Sequence, residues 1–326
     1  VSATSGPPLP TWEDLVAAAR ASLPPGHPAQ AIFALREPRC RRRLQPALRA
    51  VGAALNLWLR NAIYRRVFRA DWSELVELYA EQVVRSAAFE ERARRLPPTA
   101  VRARGAEAEG SLLRRRHHQL PCTQATVQDR AQLVATLCDR GAPILLAGDD
   151  DLLSLELARA GFTDVTAIDI DPRILADIEA AARAEGLGVR TQAHDLSGPA
   201  PTALVRAYAL VVMDPICTPA GLRLFLEGGL RLTQDRSRTR VLLCTHLASQ
   251  LRDGLAALRT LLAAEGLALQ AYLPGFGVYP NPPRLMGVAR GVFRVLQGTC
   301  LRAQGIPLAA TTPRYFVSDA LVLRPV

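Results

Sequence analysis

Lysine is missing from this sequence; all 40 of its basic side chains are arginine. That uniformity is read as genome composition rather than selection for phosphate contacts. Aromatic residues amount to only 5%, and none is interleaved with the arginine runs Arg41 to Arg43 and Arg114 to Arg116. Direct nucleic-acid binding is therefore disfavoured. The six cysteines, Cys40, Cys122, Cys138, Cys217, Cys244 and Cys300, contain no CxxC pair, which excludes a zinc-ribbon or disulfide framework as the organising device. The five histidines form no ligand pattern, and no metal is expected. There is no GxGxxG, no Walker loop, no HExxH and no nucleophile elbow. No apolar run approaches the length of a membrane span. The opening VSATSGPPLPTW lacks the charged and apolar regions of a signal peptide, so the expected location is the cytoplasm.

What is present is enough to bury a sizeable core: 326 residues, 49% of them hydrophobic, with room for one large domain or two ordinary ones. The net charge of +10 is uneven. Residues 1–120 hold 20 arginines against 11 acids, and the remainder 20 against 19, so the basic excess belongs to the first part. That part reads as mainly helical. Thr11 and Asp14 form a capping-box pattern before a helix starting at Trp12. Amphipathic stretches follow at Pro46 to Phe68 and Trp72 to Arg94, the second with Asp71 as its cap, and Trp58, Tyr64, Trp72 and Tyr79 are assigned to core. The division expected is a helical N-terminal domain over 1–110 and an α/β domain over 111–326.

In the second part strands and helices alternate. Strands are expected at Ile144 to Ala147, Val165 to Ile168, Val189 to Ala193, Leu210 to Met213 and Val241 to Cys244, with a first helix at Val127 to Cys138. Two further strands are expected at Leu267 to Leu273 and Tyr315 to Leu323, separated by a Pro-rich loop and a helix near Val288 to Leu296. The fold class is α/β: a seven-stranded, doubly wound, mostly parallel sheet, ending in a hairpin-like pair as in S-adenosylmethionine-dependent transferases.

The chain is organised around PILLAGDDDLLS, residues 143–154, which reads as strand, tight turn and helix. In open α/β sheets ligands bind where strands end and helices begin. Here Gly148 is followed by Asp149, Asp150 and Asp151 instead of further glycines. Asp149 alone could be a helix cap. Three successive acids, about 100° apart around a helix, exceed what capping uses. Their repulsion costs a few kcal/mol at an effective dielectric of about 20 unless a cation offsets it. A cationic ligand follows.

The other strand ends add to this. Asp169, about 20 residues after Gly148, stands where an acid accepts from ribose hydroxyls, while Asp171 before Pro172 reads as a helix cap. Asp195 can accept from an adenine amino group. Asp214 before Pro215 brings a fourth acidic end, its direction stiffened by the proline. The joint pattern specifies a nucleoside with hydroxyls and an amine, with unpaired negative charge beside the reacting region.

The runs GDDDLLS, AIDIDPRIL, HDL and MDPICTPAGLRLFLEGGL, with the upstream RRRHHQLPCTQATVQDRAQLV, resemble the branched-chain polyamine synthase family, the N4-bis(aminopropyl)spermidine synthases. The resemblance is strongest over residues 111–245. It departs at Ile216 and Cys217, where the family usually carries Asp-Pro-Pro and a polar or aromatic residue. It implies a methyltransferase-like catalytic domain behind a smaller winged-helix-type domain. It also implies transfer of an aminopropyl group from decarboxylated S-adenosylmethionine, a co-substrate and not a permanently bound cofactor, to the secondary amine of a polyamine such as spermidine. The catalytic set it implies is Asp151 as base with Asp150 and Asp214; Gly148, Asp149, Asp169 and Asp195 serve the donor. The polyamine is the expected partner, with no membrane and no nucleic acid, and a homo-oligomer, dimer or tetramer, is expected. Two rival classes share the same features: a methyltransferase acting on an amine or a nucleic-acid base, and a non-catalytic, ligand-sensing DNA-binding regulator.

Overall fold

A computed structural model describes residues 6–23, 25–27, 30, 33, 72–102, 120–280 and 313–326. These divide between two compact units: Val1–Leu9, Pro97–Tyr279 and Ser318–Val326 in one, Pro10–Leu96 and Pro280–Val317 in the other. Among the described residues no helix is long and apolar enough to cross a membrane.

The described part of the second unit is mainly helical. Helix α1 (Trp12–Ala21) starts on the expected capping box, with Thr11 accepting from the Asp14 amide and Asp14 from that of Thr11. It buries Trp12, Leu15 and Ala19, and the Trp12 indole donates to Glu77 on α2 (Trp72–Ala93). The side chains of Trp72 and Tyr79, and the expected helices at Pro46 to Phe68 and Val288 to Leu296 with Trp58, Tyr64 and Asp71, lie outside the described residues.

The first unit is a seven-stranded sheet in the order β3-β2-β1-β4-β5-β7-β6. Its strands are β1 (Ile144–Ala147), β2 (Val165–Asp169), β3 (Val189–Ala193), β4 (Leu210–Met213), β5 (Arg240–Thr245), β6 (Leu267–Pro280) and β7 (Tyr315–Pro325). Strands β1 to β5 pair in parallel, and β7 runs antiparallel to β5 with Cys244 opposite Ala320. This is the seven-stranded, mostly parallel sheet expected. All residues of β1, β2 and β4 are buried, as continuous apolar runs require when helices cover both faces. The edge strands β3 and β6 are partly exposed.

The covering helices are α3 (Gln124–Leu137), α4 (Leu153–Arg159), α5 (Pro172–Glu185), α6 (Pro219–Arg231) and α7 (Leu251–Ala264). Most begin on local chemistry: Thr123 caps α3, Asp171 caps α5 with Pro172 behind it, and Thr218 caps α6 ahead of Pro219. Satisfying free amides this way is worth about 0.5–2 kcal/mol per cap. Helix α4 differs. Its N-cap is Leu152, the one described non-glycine residue at positive φ (60°), with no side-chain bond of its own. Strand β6 also differs from expectation: it runs past Leu273 through Pro274 and Gly275 to Pro280. Those residues read as a loop in sequence, but Gly275, at φ 67°, donates its amide to the buried Asp319 of β7 at 3.0 Å. That bond carries the strand across the break.

Helix α6 lies close to its neighbours because Gly228 and Gly229 lack side chains. A Cβ on Gly228 would meet the Leu196 carbonyl oxygen at 2.8 Å, and one on Gly229 the Met213 methyl at 2.6 Å. Gly228→Ala is expected to lower unfolding stability by about 1–3 kcal/mol in urea titration, whereas Leu224→Ala, on the exposed side of the same helix, is expected to stay within about 0.5 kcal/mol.

Candidate active site

The strand order reverses between β1 and β4, so their carboxyl ends diverge into the crevice where open α/β sheets bind ligands. The turn after β1 opens with Gly148 at φ 78°. Its amide donates to Ile168 at 2.9 Å, and the Phe225 ring lies 3.4 Å from where a Cβ would stand. Asp149 is almost fully buried, and its carboxylate accepts the Ser154 amide at 3.2 and 3.3 Å. It thus caps α4 in place of Leu152. Asp169 ties two turns together, accepting the Asp149 amide at 3.3 Å and the Asp171 amide at 2.8 Å.

Asp151 and Asp214, from the ends of β1 and β4, meet on one buried cation. Arg130 of α3, 1% exposed, donates through Nη1 to Asp151 Oδ2. Through Nη2 it donates to Asp214 Oδ2 at 2.7 Å and to the Tyr279 hydroxyl at 2.6 Å. Tyr279 in turn donates its hydroxyl proton to Asp214 Oδ2 at 2.7 Å. The Cys122 thiol lies 3.1 Å from Asp151 Oδ2. These contacts correct the expectation of unpaired charge at the strand ends. Both carboxylates are paired through Oδ2, and each Oδ1 has no hydrogen-bond partner among the described residues.

Asp150, between them, is half-buried and makes no hydrogen bond or ion pair among the described residues. Burial, with the charges of Asp151, Asp214 and Asp169, pushes its pKa well above the usual carboxylate range, against the pull of Arg130. Burial and Asp151 do the same to Asp149. Burial also raises Asp214, with Arg130 opposing. Three acids, Asp150, Asp151 and Asp214, thus lie in the field of the Arg130 guanidinium. Asp195 stands apart from them: it is exposed, and its Oδ1 accepts the Ser197 amide at 2.8 Å and hydroxyl at 2.7 Å.

Sequence reasoning missed Arg130 and Tyr279. Arg130 is one arginine among 40, and its only distinguishing sign is that it shares a helix face with Val127 and Val134, three and four residues away. Tyr279 follows two turn-forming glycines and was hidden by the expectation that β6 stops at Leu273.

A carboxyl whose folded pKa is raised costs stability once it ionises, and the cost vanishes in acid, where folded and unfolded forms are both protonated. Asp150→Asn is therefore expected to stabilise the ligand-free protein by about 1 kcal/mol or more at pH 8, because a tenfold change in proton affinity between folded and unfolded chains is worth about 1.4 kcal/mol. The gain should disappear as the pH falls toward 4; chemical unfolding at several pH values measures it, and an equal gain at every pH would contradict the assignment.

The sequence model of the "Branched-chain polyamine synthase A C-terminal domain" matches residues 113–286, just over half the chain. The N(4)-bis(aminopropyl)spermidine synthase of Thermus thermophilus is 35% identical over 142 residues, 43% of this chain and 41% of that protein. An uncharacterised protein of Methanocaldococcus jannaschii is 39% identical over 110 residues, 33% of this chain and 28% of its own. The chain thus matches well under half the length of these relatives. Among solved structures, the branched-chain polyamine synthase of Thermus thermophilus, in complex with N4-aminopropylspermidine and 5′-methylthioadenosine, superposes with a TM-score of 0.53 at 21% identity, covering 86% of this chain and 93% of that one. That likeness concerns the fold. With a family domain matched over strands β1 to β6 and over Asp149, Asp150, Asp151 and Asp214, the chain belongs to the branched-chain polyamine synthase family.

Proposed function

We propose that this protein transfers the aminopropyl group of decarboxylated S-adenosylmethionine to the secondary amine of spermidine or a related polyamine, giving a branched polyamine and methylthioadenosine. The observation that carries this reading is the charge of the site: one buried guanidinium pairs with Asp151 and Asp214 and acts on Asp150, while Asp149 lies buried in the same acidic turn. Such a site attracts a donor ending in an ammonium and repels the α-carboxylate of the ordinary methyl donor. The Thermus relative, named as a bis(aminopropyl)spermidine synthase, and the ligands of the solved neighbour support the same chemistry.

In this reading Gly148 lets the donor approach the backbone closely, Asp169 receives its ribose hydroxyls and Asp195 its adenine amino group. Asp149, fixed to Ser154, orients the loop, and Asp150 holds an ammonium group. Asp151 is the base. Arg130 and Cys122 hold its Oδ2, and Oδ1 takes the proton of the acceptor's central nitrogen. The freed lone pair forms a bond to the carbon next to the sulfonium. The carbon–sulfur bond breaks with its electrons passing to sulfur, so neutral methylthioadenosine leaves and the product nitrogen carries the positive charge. Holding two mutually repelling cations in line supplies much of the remaining rate.

The test offers spermidine, spermine and putrescine with the decarboxylated donor and follows products by mass. The expected result is a polyamine heavier by one or two aminopropyl groups, with methylthioadenosine released in equal number. Methyl transfer from the carboxylated donor instead would establish the rival methyltransferase. Asp151→Asn is expected to lower turnover by about 10²–10⁴ while methylthioadenosine still binds; near-normal turnover would remove Asp151 from the role of base.

A further inference from the structure

The base mechanism leaves a buried cation unexplained. A polyamine site gains attraction from carboxylates and loses it to an arginine, yet Arg130 is almost fully buried at the centre of this one. Its place is not a by-product of helix packing. It arrives from α3, and its guanidinium faces Asp150 and Asp151 after β1, Asp214 after β4, Cys244 of β5, Tyr279 of β6 and Cys122 ahead of α3. Its two terminal nitrogens are divided between the two carboxylates nearest the reacting region, one each, and it engages only their Oδ2 atoms.

We propose that Arg130 is the positioning residue that frees the acceptor amine of its proton, by cancelling one of the two charges that Asp151 and Asp214 would otherwise set against it. The inference rests on the aminopropyl-transfer reading and adds to it the control of the acceptor's charge. Two carboxylates facing an ammonium hold it as an ion pair, and a protonated nitrogen has no lone pair with which to attack. With Arg130 between them, Asp151 and Asp214 carry one net negative charge, enough for one proton. The nitrogen is then held less firmly as an ammonium and becomes neutral at a lower pH, its proton passing by way of Asp151 Oδ1 to solvent. The fork geometry matters as much as the charge, because a planar guanidinium reaches both carboxylates at once and leaves both Oδ1 atoms open. Tyr279 keeps Asp214 in register by donating to the same Oδ2.

The decisive measurement is the protonation of the bound amine, read from the nitrogen chemical shift of spermidine labelled with ¹⁵N at its central position, as pH is varied with methylthioadenosine present. Arg130→Gln is expected to raise the titration midpoint of that nitrogen by about one pH unit or more relative to the native protein, as removing a nearby like charge requires. Removing Arg130 leaves Asp151 and Asp214 without their cation, so the same change is also made with Asp214→Asn, where a single one of these two carboxylates remains. Asp214→Asn alone is expected to lower the midpoint, and adding Arg130→Gln to it to raise the midpoint again. Arg130→Lys keeps the charge and loses the fork; its midpoint should stay near the native one while turnover falls. An unmoved midpoint on removing Arg130 from the Asp214→Asn protein would overturn the inference, even with aminopropyl transfer intact. Failure of the native protein to bind spermidine would overturn the functional reading and this inference together, and the product assay identifies that case.

Discussion

A single guanidinium joins four parts of the sheet unit that are far apart in sequence: α3 through Arg130 itself, the β1 turn through Asp151, the end of β4 through Asp214, and β6 through Tyr279. Placing an arginine out of water is costly, and only partners with good geometry offset it. Here the partners are two carboxylates and a hydroxyl, each delivered by a different element. The site therefore exists only when α3, β1, β4 and β6 are all in place.

The same constraint explains the distribution of the acids. Three consecutive aspartates in one turn do not behave alike. Asp149 turns inward and replaces a missing cap on α4. Asp151 turns to Arg130. Asp150 is left half-buried between them without a hydrogen bond or ion pair among the described residues, and burial with the neighbouring charges pushes its pKa upward. The fold thus uses two of the three carboxylates and leaves the third unused. The left-handed Leu152 belongs to this division, since it lets the turn close on Asp149 before the helix begins.

Around this centre the strand-end residues play linked roles. Asp169 holds the turns after β1 and β2 at a fixed separation through two backbone amides, which presets the distance between the acids and whatever binds beside Asp169. Gly228 and Gly229 bring α6 close to the end of β4 and to Leu196. The crevice at the end of β4 is therefore built on close contacts whose enlargement by one methyl is felt.

How much of this could be read in advance follows from the range of the forces. Apolar runs such as ILLA and LVVM, the capping box at Thr11, Asp171 before Pro172 and Gly148 ahead of three aspartates act over a few residues. The sequence alone settled the parallel strands to within a residue or two, the β1 turn and the acidic strand ends. Tertiary structure decided the rest: that β6 continues through Pro274 and Gly275 because Asp319 takes up a backbone amide, and that Arg130, among the described arginines, is the counter-cation of Asp151 and Asp214. Neither is written in local pattern, because each depends on partners 21 to 149 positions away, and only the folded chain brings opposite charges within reach out of water.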